Sequence, residues 1–418
     1  MAGSYRDILC CNNNRNIDSA LDKYENERDH IIKTLSRDPI ELINKIWTND
    51  GFLSNDSRCM CHAGKHKKYT AYTCPPCVNL GRLVDYDNDK VGKPFLIECG
   101  DKVGSSFILI SLPVGTTSLD IGESDKIRAQ NFLQEHKEML KCGSQELNEL
   151  TFVKNDVFTN NILVWWIIDK IFQRKGLPYS LPLHTAYICR QKGFLLSNSP
   201  TIGSFKQLQS RAAINNWDST DVCMSICKQL GVILDILHGH YFSHGNPHSD
   251  MLLFSDDPIE HDYDNITVSS DFTMHIVDFT YSSITNDNVR LYPKTESSNV
   301  LFNHCTINIE IKDGMYYLSN KSDILFNYIR HAGLPIYSSS FDFYCFILSF
   351  MLDDYFYDSV KKDPIMNKAW ESIWYNTDLS IIEAKLKKIK KNPNPDIVRM
   401  LGGLWLQCDV VKTWLSNM

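Results

Sequence analysis

The sequence contains no apolar run long enough to cross a bilayer, which takes about 20 residues. Its longest apolar stretch, ILVWWIIDKIF from Ile162 to Phe172, is too short and carries Asp169 and Lys170. The opening MAGSYRDILCCNNN lacks the charged start and apolar core of a secretory signal. These absences set the expectation of a chain without a membrane span, in a cytoplasmic, reducing setting. Its 14 cysteines are then mostly buried thiols or metal ligands rather than disulfides. A surplus of basic charge is missing as well. The net charge of −7 provides no global field for a polyanion, so nucleic acid is not an expected partner. No internal repeat of a solenoid period is present.

What is there is an ordinary globular composition. Hydrophobic residues make up 43% and charged residues 22%, and 11% aromatics favour a packed chain. A length of 418 residues suits two or three structural units around one or two cores.

Residues 1 to 90 are polar and irregular, with one helix expected from Ile17 to Ile46 and a Cys-rich segment after it. From Pro94 the pattern changes. PFLIECG and SSFILISL read as strands around the turn DKVG. A polar, helix-prone insertion from Thr116 to Asn148 precedes LTFVK, a further strand. Phe158 to Phe172 reads as an apolar helix, and HTAYICR with GFLLS as a hairpin. In DVCMSICKQLGVILDILHGHYF, Val222, Ile226, Leu230, Ile233, Leu234 and Leu237 form one helical stripe, with Ser219, Thr220 or Asp221 available as N-cap. A loop, short strands and an apolar helix from Phe341 to Leu352 follow. The tail after Asp363 reads as helical and ends in the apolar LGGLWL. The basic run KLKKIKKNPNP reads as a solvated helix end or a docking patch.

The most chemical segment is YFSHGNPHSDMLLF, Tyr241 to Phe254. A long helix leads into it and an apolar strand leaves it. The strand-rich first part, the helical second part and this helix–loop–strand unit follow the order of a protein kinase. Kinases carry His-x-Asp in that loop, then Asn five residues beyond the Asp. Here His244-Gly245-Asn246 is followed by Met251 at the same offset. HIVDFT, His275 to Thr280, supplies an apolar strand ending in Asp278-Phe279, where kinases have Asp-Phe-Gly. SSSFDFYCFILSFML supplies a later apolar helix that opens with Asp342. The sequence thus resembles a divergent protein kinase and is similar in flavour to kinase-like proteins of large DNA viruses. The likeness covers roughly residues 92 to 360.

The resemblance implies an α+β, two-lobed kinase-like fold: a small β-rich lobe at 91–200, a larger helical lobe at 201–418 and a Cys-rich extension at 1–90. It also implies roles for single residues. Asn246 stands at the base position, where a neutral amide has no carboxylate to accept the substrate hydroxyl's proton. Met251 stands at a magnesium-holding position with a soft thioether that a hard cation disfavours. Asp278 is the remaining magnesium candidate, with a turn-capping Asp as the plain alternative. Thr280 replaces the Gly of that turn.

Lys154 matches the strand lysine that pairs the α- and β-phosphates, or is an exposed strand-edge lysine. Its helix-borne Glu partner is replaced by Asn160 and Asn161, which cannot neutralise an ammonium. Gly100 and Gly104 form either a reduced phosphate-covering loop or an ordinary hairpin turn. ATP and magnesium binding are therefore expected to be weak or absent. His244 is expected to pack and to hydrogen-bond backbone near the Asp278 turn. His248 and Asp250 are the candidates to rescue the base, Asp250 if its carboxylate swings inward; the plain reading of His248 is a surface loop residue.

Apart from that likeness, Cys59-x-Cys61 and Cys74-Pro-Pro-Cys77 make two close pairs with His62 and His66 between them. Four thiolates at such spacing suit a closed structural zinc site. Buried thiols and a redox Cys-x-x-Cys are the alternatives. The substitutions at Asn246, Met251 and Asn161 point to a pseudokinase that acts as a binding or scaffold module for protein partners, in the host cytoplasm or the virion if viral. The alternative is an active, divergent Ser/Thr kinase that keeps Asp278 and Lys154.

Overall fold

The computed structural model describes residues 80–84, 94–99, 106–113, 151–155, 157–189, 192–198, 200–245, 247–286, 289–293, 308–312, 315–319, 339–374, 377–391 and 397–418. The helix expected at Ile17 to Ile46, the four zinc-candidate cysteines Cys59, Cys61, Cys74 and Cys77, Gly100, Gly104, the insertion after Thr116 and Asn246 lie outside the described residues. Helix and strand are mixed, and the chain divides into two compact units. One comprises Met1–Asp120, Val153–Pro200 and Val277–Thr280; the other comprises Ile121–Phe152, Thr201–Ile276 and Tyr281–Met418.

In the first unit, β1 (Leu80–Val84), β2 (Pro94–Cys99) and β3 (Ser106–Pro113) form an antiparallel run. Next in the chain come β4 (Thr151–Asn155) and α1 (Val157–Lys175), then β5 (Leu183–Cys189) and β6 (Lys192–Asn198). The sheet order is β1-β2-β3-β6-β5. The two expected hairpins are both present: β2 pairs β3 from Pro94↔Ile110 to Glu98↔Ser106, and β5 pairs β6 up to Cys189↔Lys192.

Helix α1 lies against β3, β5 and β6. It is apolar nearly all round, as a helix buried on several sides must be. Trp165, Trp166, Ile168 and Phe172 are all buried. The indole N–H of Trp165 donates to the Leu181 carbonyl at 2.7 Å. Asp169, the charge that interrupts the apolar run, is satisfied by Gln173 at 2.8 Å and Ser180 at 3.2 Å.

The second unit opens with α2 (Phe205–Asn215) and α3 (Ser219–His238). The six stripe residues of α3, Val222 to Leu237, are all buried. Its N-cap is Asp218, one residue before the expected candidates, and the carboxylate accepts from the amides of Thr220 and Asp221. The polar cluster at 218–221 marked the helix start, but only the residue with extended backbone can turn its side chain onto those amides.

A short strand β7 (Leu252–Ser255) pairs with β10 (Thr273–Ile276), and between them β8 (Ile259–Tyr263) and β9 (Ile266–Ser270) form a hairpin. Strands β11 (Ile284–Asn286) and β12 (Val289–Pro293) pair next, followed by the β13 (Asn308–Lys312) and β14 (Met315–Ser319) hairpin.

The helical half contains α4 (Ser339–Met351), α5 (Asp354–Lys362), α6 (Pro364–Ser372), α7 (Leu379–Lys390) and α8 (Ile397–Leu401). Then come β15 (Trp405–Gln407) and α9 (Val410–Leu415). Helix α3 is the hub, packed by α4, α5 and α9.

The tail corrects the sequence expectation. LGGLWL does not continue as helix: α8 stops at Leu401, Gly403 takes a φ of 79°, and Trp405–Gln407 adds an edge strand to β14. Two adjacent glycines weaken the helix, and the left-handed one turns the chain away from it. In the basic run, Lys385 donates to the Met400 and Gly402 carbonyls at the end of α8, while Lys390 pairs with Asp354.

Cys223, Cys227 and Cys345 are buried free thiols, and Cys408 is disulfide-bonded. Among the described residues, no helix is long and apolar enough to cross a membrane.

Candidate functional site

The loop after α3 is fixed by backbone and by one acid. Ser243 and Ser283 exchange both backbone hydrogen bonds, at 2.9 and 2.8 Å. The His244 amide donates to Asp342 Oδ2 at 2.6 Å, and the Gly245 amide donates to the same carboxylate. Asp342 sits in the first turn of α4 and is fully buried. Burial pushes its carboxyl well above the ordinary carboxylate range, and the two amides pull it part of the way back.

The His244 carbonyl accepts from Ser282 Oγ at 2.9 Å. The His244 ring stands edge-on to Phe242 and Phe346, at 6.1 and 5.5 Å between centroids. His244 therefore packs and bonds through its backbone, with Ser282 and Asp342 as partners. Gly245 has a φ of 73°, and a Cβ there would fall 2.1 Å from the Tyr281 carbonyl oxygen. Only glycine fits that position without moving the chain.

Beyond Asn246 the loop closes in a 3₁₀ turn, Ser249–Met251. His248 caps it: its Nδ1 accepts from the Asp250 amide at 3.2 Å and lies 3.5 Å from Asp250 Oδ2. The Asp250 side chain is 65% exposed, so this acid faces solvent beside His248. Met251 is buried. The loop thus offers a covered thioether at the expected metal position and an outward-facing carboxylate before it.

The turn Val277–Thr280 belongs to the first unit together with α1. Asp278 is buried and its φ is +60°, a left-handed backbone that a non-glycine residue seldom adopts. Its own side chain stabilises that turn. Oδ1 accepts from the Thr280 amide at 3.3 Å and from the Thr280 hydroxyl. Asx side chains tolerate left-handed backbone because they can accept from the amide two residues on.

The adjacent helix adds a further donor. Asn161 Nδ2 donates to Thr280 Oγ1 at 2.9 Å and lies 3.5 Å from Asp278 Oδ1. Asn160 Nδ2 donates to the Phe279 carbonyl at 3.4 Å, and Trp165 meets the Phe279 ring edge-on at 5.6 Å. A relay therefore runs from the Asn161 amide through the Thr280 hydroxyl to the Asp278 carboxylate. Burial raises the Asp278 carboxyl to about 6, and the Thr280 bonds oppose that rise.

A magnesium site of the kind the resemblance implies needs several hard oxygens with free lone pairs. This donor set does not fit it. In the first unit, Oδ1 of Asp278 already receives Thr280 and Asn161; in the second, Met251 is a thioether and brings no oxygen. Among the described residues no group of three His, Cys, Asp or Glu could hold a metal ion. The strand that carries Lys154, β4, is described, but the lysine side chain lies outside the described residues.

Sequence reasoning picked out Asp278, Asp342 and His244, and the structure brings the last two together. It misses the work of Asn161 and Thr280, which in the sequence alone read as the loss of a Glu and of a Gly. A signal was present: two adjacent Asn in an otherwise apolar helix are buried amides, and buried amides require partners.

No family model matches the chain, and no curated protein matches it. Solved structures similar to it include "Crystal structure of BubR1 kinase domain", at 14% identity over 49% of this chain and 46% of that chain, with a TM-score of 0.28. The match therefore spans less than half of that chain's length. Another is "WaaP in complex with acyl carrier protein", at 9% identity over 74% of this chain and 89% of that chain, with a TM-score of 0.30. Likenesses at these TM-scores carry no weight for the function, which rests on the residues themselves.

Proposed function

We propose that the protein is a two-lobed, protein-kinase-like module that has lost or nearly lost phosphotransfer and works by binding protein partners. The single observation that carries this reading is the state of Asp278. The one acid left at a magnesium position is used as the acceptor of its own turn, by Thr280 and Asn161. The rest of the loop agrees. Asn246 replaces the base, Met251 is a buried thioether, and Asp250 faces solvent. Loss of a positioned base alone lowers rate by about 10²–10⁴-fold, and loss of metal charge stabilisation adds to that.

A second reading is an active, divergent Ser/Thr kinase. It is favoured by the survival of Asp278 as a carboxylate in a buried turn. Thermal shift with ATP and magnesium, paired with radiolabelled phosphotransfer to a generic protein substrate, separates the two. The pseudokinase reading expects transfer no greater than that of Asp278→Ala. Robust transfer that Asp278→Ala abolishes would establish the second. A stability gain without transfer would make nucleotide a structural ligand.

The scaffold role assigns the N-terminal extension to ordering by structural zinc on Cys59, Cys61, Cys74 and Cys77. Metal analysis expects about one zinc per chain, lost in Cys74→Ser; an unchanged metal content would remove zinc from the account. Such a module would suit a host cytoplasm or virion, as the viral flavour of the sequence implies.

A further inference from the structure

We infer that Thr280 and Asn161 form a built-in clamp that takes the place of a divalent cation at Asp278, so that clamp and cation compete for one carboxylate oxygen. This rests on Asp278 being the position where a kinase would hold magnesium, and it goes beyond loss of activity by naming what took the metal's place.

The geometry is local and complete within one unit. Thr280 stands two residues after Asp278 and turns both its amide and its hydroxyl onto Oδ1. A hydroxyl carries a single proton, so Thr280 Oγ1 donates to Asp278 while accepting from Asn161 Nδ2 at 2.9 Å. The relay therefore has one direction, and each bond polarises the next.

Asn161 is fully buried, and its Oδ1 has no hydrogen-bond partner among the described groups. That leaves a hard oxygen on the same side chain that donates to Thr280 and approaches Asp278. The Asp278 carboxylate and the Asn161 oxygen are the hard donors on the side chains that the clamp joins. What closes them to a cation is the Thr280 hydroxyl. A glycine at 280 has no such group, whereas threonine supplies its own proton where a cation's positive charge would sit. The clamp also joins α1 to the turn across 119 positions of sequence.

The test uses the full chain without nucleotide. Thr280→Val keeps the shape and removes the hydroxyl; Thr280→Ser keeps the hydroxyl and serves as control. Thermal unfolding is followed while Mn²⁺ is titrated into the millimolar range near pH 7.5. The expected result has three parts. Wild type and Thr280→Ser show no Mn²⁺-dependent rise in Tm. Thr280→Val melts a few degrees lower without metal, and then gains a saturable rise with Mn²⁺. Asn161→Asp, which adds a second carboxylate, gains a larger rise.

A metal response in the wild type equal to that of Thr280→Val would overturn the clamp. So would a folded Thr280→Val with no response alongside Asn161→Asp with none. If Thr280→Val does not fold, wild type and Asn161→Asp decide alone: equal responses overturn the proposal. Failure of the pseudokinase reading is seen separately, as phosphotransfer by the wild type.

Discussion

Two buried carboxylates do contrasting work in the two units. Asp342, in the helical unit, reaches away from its own segment and holds the amides of His244 and Gly245, 98 positions distant in the first case. Asp278, in the sheet unit, turns back on its own chain and takes Thr280, with α1 adding Asn161 from outside. Asp342 is thus a long-range anchor, and Asp278 a local turn acceptor. An acid that stands where a resemblance expects a metal ligand is therefore not by that fact a chemical group in use. Both side chains here satisfy donors that would otherwise be buried without partners.

The comparison is broken most directly at Asp342. Replacing it with Ala strands two buried amides that now bond to its carboxyl group. The expected cost is about 3–5 kcal/mol, read from urea unfolding. A cost under about 1 kcal/mol would mean the loop does not depend on this anchor.

Next comes Gly245→Ala. The left-handed backbone and the 2.1 Å approach to the Tyr281 carbonyl together predict a loss of about 2–3 kcal/mol. A neutral result would show that the loop has an alternative path.

Thr280→Val tests the local acceptor and is expected to cost about 1–2 kcal/mol, less than Asp342→Ala. The reverse order would contradict the division between anchor and turn acceptor.

The last test is a slope. The Asp278 carboxyl sits at about 6 in the folded chain against an ordinary 3.8. Between those values the folded state keeps a proton that the unfolded state has released. Stability from this group is therefore full below the lower value and declines as pH rises through about 6. Asp342 is shifted the same way and adds to the decline. Denaturation measured across this range should show stability falling with pH in wild type, and a shallower fall in Asp278→Asn. An unchanged slope would place the proton elsewhere.

Much of the fold was legible because periodicity reports burial. The α3 stripe from Val222 to Leu237 and the apolar α4 are where their spacing puts them, since a helix must bury its apolar face. The β2–β3 hairpin brackets the turn signal DKVG, and β5–β6 follows from two adjacent apolar runs. The tail was less legible. Trp405 to Gln407 reads as helix-compatible, yet it pairs with Tyr317, Tyr316 and Met315, a choice made by tertiary contact rather than by local preference.

For the candidate site, sequence identified the acids but not their partners. Asp278 and Asp342 stand out as charges beside apolar runs. The amide that reaches Thr280 lies 119 positions upstream, and no local pattern encodes that meeting. Thr280 itself looked like a lost glycine. Its hydroxyl acquires meaning only when Asp278 Oδ1 and Asn161 Nδ2 are placed on either side of it.

The central claim is the proposal that Asp278, whose Oδ1 is taken up by its own turn, does not support phosphotransfer. Single-turnover transfer of labelled γ-phosphate from ATP, with magnesium and the full chain, tests it most directly. The account predicts no labelled protein above the level of Asp278→Ala. Label that accumulates with time in wild type and vanishes in Asp278→Ala would contradict it.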